Sequence, residues 1–169
     1  MTSQSVAPRP RPLAFLPKSL FEPNRPARYV AIAWACAFFP SLLLSALASY
    51  LVPDSAPSFP EVHPGWLLFL LVVFAPVVET LIMGAVLLIL ERIGGFLPAV
   101  LLSSAGWGIA HSLQAPAWGL VIWWPFLIFS IVFLTWRRRS LAAAFALPML
   151  VHGLQNLGPA LVLVSGLNG

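Results

Sequence analysis

Residues 75–84 read APVVETLIMG, Ala75 to Gly84, a run of Val, Leu, Ile and Met with one carboxylate, Glu79, in its middle. The apolar surroundings continue for more than two turns on either side, and no Lys or Arg occurs between Arg28 and Arg92. A carboxyl group at bilayer depth costs about 2.5 to 3.5 kcal/mol on insertion scales, so an acid kept there points to a function. The plain structural alternative is a protonated Glu that hydrogen-bonds a neighbouring helix and only holds a bundle together. Pro76 bears on the choice. It has no N–H and so frees the carbonyl of Val72, a polar group that water or a side chain must then satisfy. A loosened, polar spot beside a buried acid is a place where a hydrated site can form.

The rest of the chain fits a bilayer. Of its 169 residues, 60% are hydrophobic and only 8% charged, and the mean hydropathy is +0.93. These values exclude a soluble domain. The length suits about five spans of ~20 residues with little left for an extramembrane domain. The expected class is all-α, a polytopic transmembrane helical bundle of about five spans with a disordered N-terminal arm. Cys36 is the single cysteine and cannot form an internal disulfide. The net charge of +4 is explained by membrane orientation and is no nucleic-acid footprint.

Residues 1–27 form the arm, with Pro8, Pro10, Pro12, Pro17, Pro23 and Pro26 beside Arg9, Arg11, Lys18 and Arg25. Proline at this density prevents a regular helix and predicts an extended or disordered cytoplasmic segment. Residues 28–169 form the transmembrane domain. Its spans are expected from about Arg28 to Val52, Gly65 to Leu90, Phe96 to Leu113, Trp118 to Trp136, and Ser140 to Ser165. Ala46-Leu47-Ala48 resembles a signal-peptidase site, but the long apolar run and the extended basic region before it favour an uncleaved anchor.

All nine basic residues fall before the first span, between the second and third, or between the fourth and fifth, whereas Asp54 and Glu61 fall between the first and second. Five spans with the N-terminus inside and the C-terminus outside put every Lys and Arg on the cytoplasmic side. Trp66, Trp118 and Trp136 then lie near span ends, as interfacial aromatics do.

Against this background stand Glu79, His111, His152 and Asn156. At 1.5 Å per residue from the cytoplasmic ends, Glu79 lies roughly 18 Å deep, His111 roughly 22 to 24 Å and His152 roughly 18 Å. Three spans can therefore bring an acid and two imidazoles to one level. His152 and Asn156 are four apart and share a helical face, and Trp107 is likewise placed to stack beside His111. Taken singly, an intramembrane His is often a packing residue and an Asn is often interhelical glue. Ser103, Ser104, Thr80 and Gln155 read as helix-packing or supporting groups, Glu91 and Arg92 as a solvated helix end, and His63 as bystander surface.

Three stretches together resemble the CPBP family of intramembrane glutamic endopeptidases (CAAX-protease and bacteriocin-processing, or Abi). APVVETLIMGAVL resembles the family's first motif. SSAGWGIAH resembles its second, with Trp107 four before His111 in the usual Phe place. SLAAAFALPMLVHGLQN resembles its third, with His152 four before Asn156. The three occur in the family's order over about Pro76 to Asn156. The family's first motif usually carries a second Glu and an Arg four residues after it; here Thr80 and Gly84 stand in those places. The resemblance implies that Glu79 and His111 position and deprotonate a water that attacks a peptide carbonyl, while His152 and Asn156 donate hydrogen bonds to the developing oxyanion. Thr80 and Trp107 would support them.

Such donors act strongly in a water-poor site, each worth roughly 3 to 4 kcal/mol. No cofactor is required. Zinc is the lesser option, since one carboxylate and two imidazoles make a plausible ligand set, but no HExxH helix is present. The expected partners are a membrane-associated peptide or protein substrate and the lipid bilayer, with no nucleic acid, in a bacterial-like inner membrane. Two other classes are open: a non-catalytic protein of the same fold that binds a partner or peptide, and a small transporter using Glu79 as a proton or cation site.

Overall fold

The computed structural model describes residues 9–53, 57–59 and 62–166. Pro8 of the arm and the loop acids Asp54 and Glu61 lie outside the described residues. Five long helices form the chain: α1 (Pro26–Leu51), α2 (Pro64–Gly94), α3 (Phe96–Ser112), α4 (Trp118–Arg137) and α5 (Leu141–Gly166). No strand occurs among the described residues. The expected all-helical class is therefore correct, and each helix ends within a few residues of its expected limits. Helices α1, α2, α4 and α5 are long and apolar enough to cross a bilayer. Helix α3 has 17 residues, at the short end of the range for a span.

Local chemistry fixes the helix ends. His63, read from sequence as bystander surface, is the N-cap of α2: its Nδ1 accepts from the Gly65 N–H at 3.2 Å. Ser140 does the same for α5, its hydroxyl accepting from the Ala143 N–H at 3.0 Å. Each satisfies an amide that has no partner within its own helix.

Helix α4 is the centre, touching all four others. Every residue from Pro125 to Trp136 is buried. The closest approach is to α3. A Cβ added at Gly119 would collide with the Gly108 carbonyl oxygen and the Ser112 hydroxyl. Small residues let backbones meet in this way where lipid supplies no hydrophobic drive between helices. The outer helices expose apolar side chains instead, among them Leu43 (74%), Ile89 (62%) and Val162 (73%). Such a surface belongs against acyl chains.

The arm differs from expectation. From Arg9 onward it is ordered, with short 3₁₀ turns at Arg11–Leu13 and Lys18–Phe21. The prolines do exclude an α-helix, but Leu13, Leu16, Leu20 and Phe21 are buried against the bundle. The Leu20 carbonyl accepts from the Tyr29 hydroxyl at 2.8 Å and the Thr135 hydroxyl at 3.0 Å. Arg139 donates to the Pro23 carbonyl at 3.1 Å. Apolar burial plus satisfied carbonyls outweighs the ordering entropy of a short segment that proline has already restricted. Leu20 and Pro23 thus tie the arm to the end of the bundle where α2 and α4 finish and α3 and α5 begin, and Phe15 reaches back along α4 to stack on Trp124 at 6.1 Å.

The α3–α4 contact makes a direct test. Gly119→Ala should destabilise the bundle by about 1 to 3 kcal/mol through overpacking, seen as a lower thermal midpoint in detergent. Gly106→Ala, where an added Cβ meets nothing within 4 Å, should leave the midpoint unchanged or raise it.

Candidate active site

Helix α2 carries a π-helical turn at Leu70–Phe74, where the Ala75 N–H donates to the Leu70 carbonyl five residues back. The register change strands one carbonyl. The α-type partner of Leu71 would be the Ala75 N–H, already committed to Leu70, and its π-type partner would be Pro76, which has no N–H. Asn156 of α5 fills the gap, its Nδ2 donating to the Leu71 carbonyl at 2.9 Å. The sequence expectation placed the freed carbonyl at Val72; the π turn shifts it to Leu71. Val72 is used differently. A Cβ on Gly153 would lie 2.8 Å from the Val72 carbonyl oxygen, so glycine there lets α5 press against the bulge.

Two turns beyond the bulge, Glu79 meets α5. Its Oε2 is 3.8 Å from His152 Nε2, and the two side chains are 25% and 5% exposed. The His152 ring stacks on Phe129 at 4.7 Å and meets Phe126 edge-on at 5.4 Å. Its Nδ1 is buried without a hydrogen-bond partner. A buried lone pair there is tolerated better than a buried unpaired N–H, which assigns the proton to Nε2, facing the carboxylate.

His111 of α3 has the opposite polarity. Its Nδ1 lies 2.9 Å from the Trp107 carbonyl oxygen, which can only accept, so Nδ1 carries the proton and Nε2 keeps its lone pair. The ring meets Trp118 edge-on at 4.7 Å and lies 5.8 Å from Phe126. Trp107 stacks on that same phenyl ring at 4.4 Å. The two imidazoles thus flank Phe126, one on each neighbouring helix.

Glu79 and His152 are therefore in direct contact, His111 is linked to His152 through Phe126, and Asn156 is turned toward the bulge. Among the described residues, no hydrogen bond or ion pair joins His111 to Glu79. Thr80 is buried and its hydroxyl has no partner. A Cβ at Gly84 would meet the rings of Phe145 and Phe133, which pack edge to face at 5.0 Å. Phe126 and Phe129 were not singled out from sequence, and Trp118 reads there only as an interfacial aromatic near a span end. Nothing distinguishes them there from other aromatic residues in a span, whereas the π turn had a visible signal in Pro76.

Among the described residues, no three His, Cys, Asp or Glu side chains converge to hold a metal ion. Glu79, His111 and His152, the set considered from sequence, do not form such a cluster.

A family model described as type II CAAX prenyl endopeptidase, Rce1-like, matches residues 61–158, a stretch that holds Glu79, His111, His152 and Asn156. No curated protein and no solved structure matches the chain.

The bulge yields a double-mutant cycle. Asn156→Ala leaves the Leu71 carbonyl without a donor and should cost about 1 to 3 kcal/mol. Pro76→Ala restores a backbone N–H, so Asn156→Ala in that background should cost less, with a coupling of at least ~0.5 kcal/mol. Unfolding in detergent measures all four corners; simple additivity would show that the carboxamide does not serve the bulge.

Proposed function

The chain belongs to the Rce1-like type II CAAX prenyl endopeptidase family and is an integral membrane protein, and from that premise we propose that it hydrolyses a peptide bond in a membrane-associated substrate with water activated by Glu79 and His111. The observation that carries this reading is the opposite polarity of the two imidazoles. His111 presents an unprotonated Nε2, fitted to take a proton from water. His152 presents Nε2–H toward the Glu79 carboxylate, fitted to donate to charge that develops on a carbonyl oxygen. Water bound at Glu79 stands beside that donor, so attack and stabilisation occur in one place. Asn156 has a second N–H free of the one given to Leu71. Zinc has no role in this scheme.

The basic end of the bundle is cytoplasmic in this reading, with the N-terminus inside, the C-terminus outside and α3 crossing as a short fifth span of a bacterial inner membrane. A second reading, a non-catalytic member that binds a peptide, is favoured by one observation: Asn156 already donates to Leu71.

Cleavage of a CAAX-type peptide, prenylated or not, by the purified protein in proteoliposomes separates the two. Glu79→Gln and His111→Ala should each lower the rate by about 10²- to 10⁴-fold without lowering the thermal midpoint, and a chelator should have no effect. Unchanged cleavage by Glu79→Gln would remove the hydrolytic assignment, and peptide binding without cleavage by the unsubstituted protein would favour the binder.

A further inference from the structure

A recess of about 590 Å³ opens at the arm-bearing end of the bundle, lined by Leu88, Glu91, Arg92, Gly95 and Arg137. It is far from the candidate active site: Arg92 lies 13 residues beyond Glu79 on α2, roughly 20 Å along the axis. Arg137 Nη2 is held 2.6 Å from Glu91 Oε2, with the side chains 36% and 16% exposed. Arg92 is exposed beside them. Two guanidinium groups against one carboxylate leave the recess with net positive charge. Neighbouring arginines are occupied elsewhere, Arg138 over the Phe96 ring at 5.7 Å and Arg139 on the Pro23 carbonyl. Gly95 faces open space at the mouth, where nothing lies within 4 Å of the position a Cβ would take.

The recess is also amphipathic. Leu88 lies one turn deeper on α2 than Arg92, and Ile89 and Ile93 on the same helix are 62% and 79% exposed. The charged recess, with Leu88 in its lining, therefore adjoins an apolar surface of the same helix that faces acyl chains. Inorganic phosphate would use only the mouth, and a zwitterionic lipid would bring a cation toward two arginines. An anionic phospholipid matches both halves: its phosphate accepts from planar guanidinium groups, and its chains cover the isoleucines. We propose that this recess binds the phosphate headgroup of an anionic phospholipid through Arg92 and Arg137, with Glu91 fixing the orientation of Arg137.

The test uses the full chain in detergent micelles, titrated with phosphatidylglycerol, phosphatidylcholine or inorganic phosphate, with lipid adducts read by native mass spectrometry and the thermal midpoint read in parallel. Phosphatidylglycerol should bind and raise the midpoint, and the other two should not. Arg92→Gln should weaken phosphatidylglycerol binding about fivefold, as expected for one basic residue at the membrane surface. Lys18→Gln, exposed in the turn that meets Thr135 at the same end but outside the recess, should change it less than about twofold because surface charge is screened. Equal losses in both variants would reduce the effect to diffuse surface charge. Equal binding of phosphatidylcholine, or a midpoint shift produced by inorganic phosphate alone, would overturn the headgroup assignment.

Discussion

A carbonyl buried in an apolar bundle needs a donor, and the Leu71 carbonyl finds its donor on another helix rather than on its own. The contact ties α2 to α5 at one level, and the two helices run antiparallel from it. Glu79 is eight residues further along α2 and His152 four residues back along α5. Both are displaced toward the same end of the bundle, which is why acid and imidazole meet. Gly153 allows the tie to be short by bringing the α5 backbone against the Val72 carbonyl. A polar group exposed by one proline thus positions the candidate site.

Helix α4 supplies the other half of that positioning without contributing a polar group to it. Phe126 and Phe129 form a wall against which both imidazoles lie. Glu79 is open to a quarter of its side-chain surface, with Val78, Leu81 and Ile82 exposed around it. The exposed part of the acid thus lies among apolar side chains of the outer surface of α2. Aromatic rings on one side and an apolar outer surface on the other give the pair a one-sided environment.

Most of the fold was legible because a bilayer imposes simple rules. Apolar runs between charged or proline-rich breaks marked all five helices, and the basic residues marked one end. The arm departs from expectation because proline density argues only about regular helix, whereas Leu13 and Leu20 were free to dock in 3₁₀ turns, with Leu16 buried between them. The site was half legible. Spacing placed His152 and Asn156 on one face, and Pro76 announced a disturbed backbone. Yet no one-dimensional pattern could show that the π turn moves the orphan carbonyl from Val72 to Leu71. Nor could it show that Asn156 would be drawn to that carbonyl.

Gly84 carries the last consequence. In the pattern this chain resembles, an arginine stands at that position; here Phe133 and Phe145 fill the space beside it. Any side chain at residue 84 has to displace those rings, so a guanidinium cannot be accommodated without opening the packing of α4 against α5. The replacement is consistent within itself: a glycine, two aromatic rings and, one turn earlier, a buried threonine. Its electrostatic effect is specific. With no arginine beside it, and with every Lys and Arg of the chain before α1's second turn or at the α2 and α4 ends, Glu79 has, among the described residues, an imidazole as its one ion-pairing partner. That partner is His152, whose Nε2 lies 3.8 Å from the carboxylate. The contact ties the position of the acid to α5, and so back to the carbonyl that holds α5 in place.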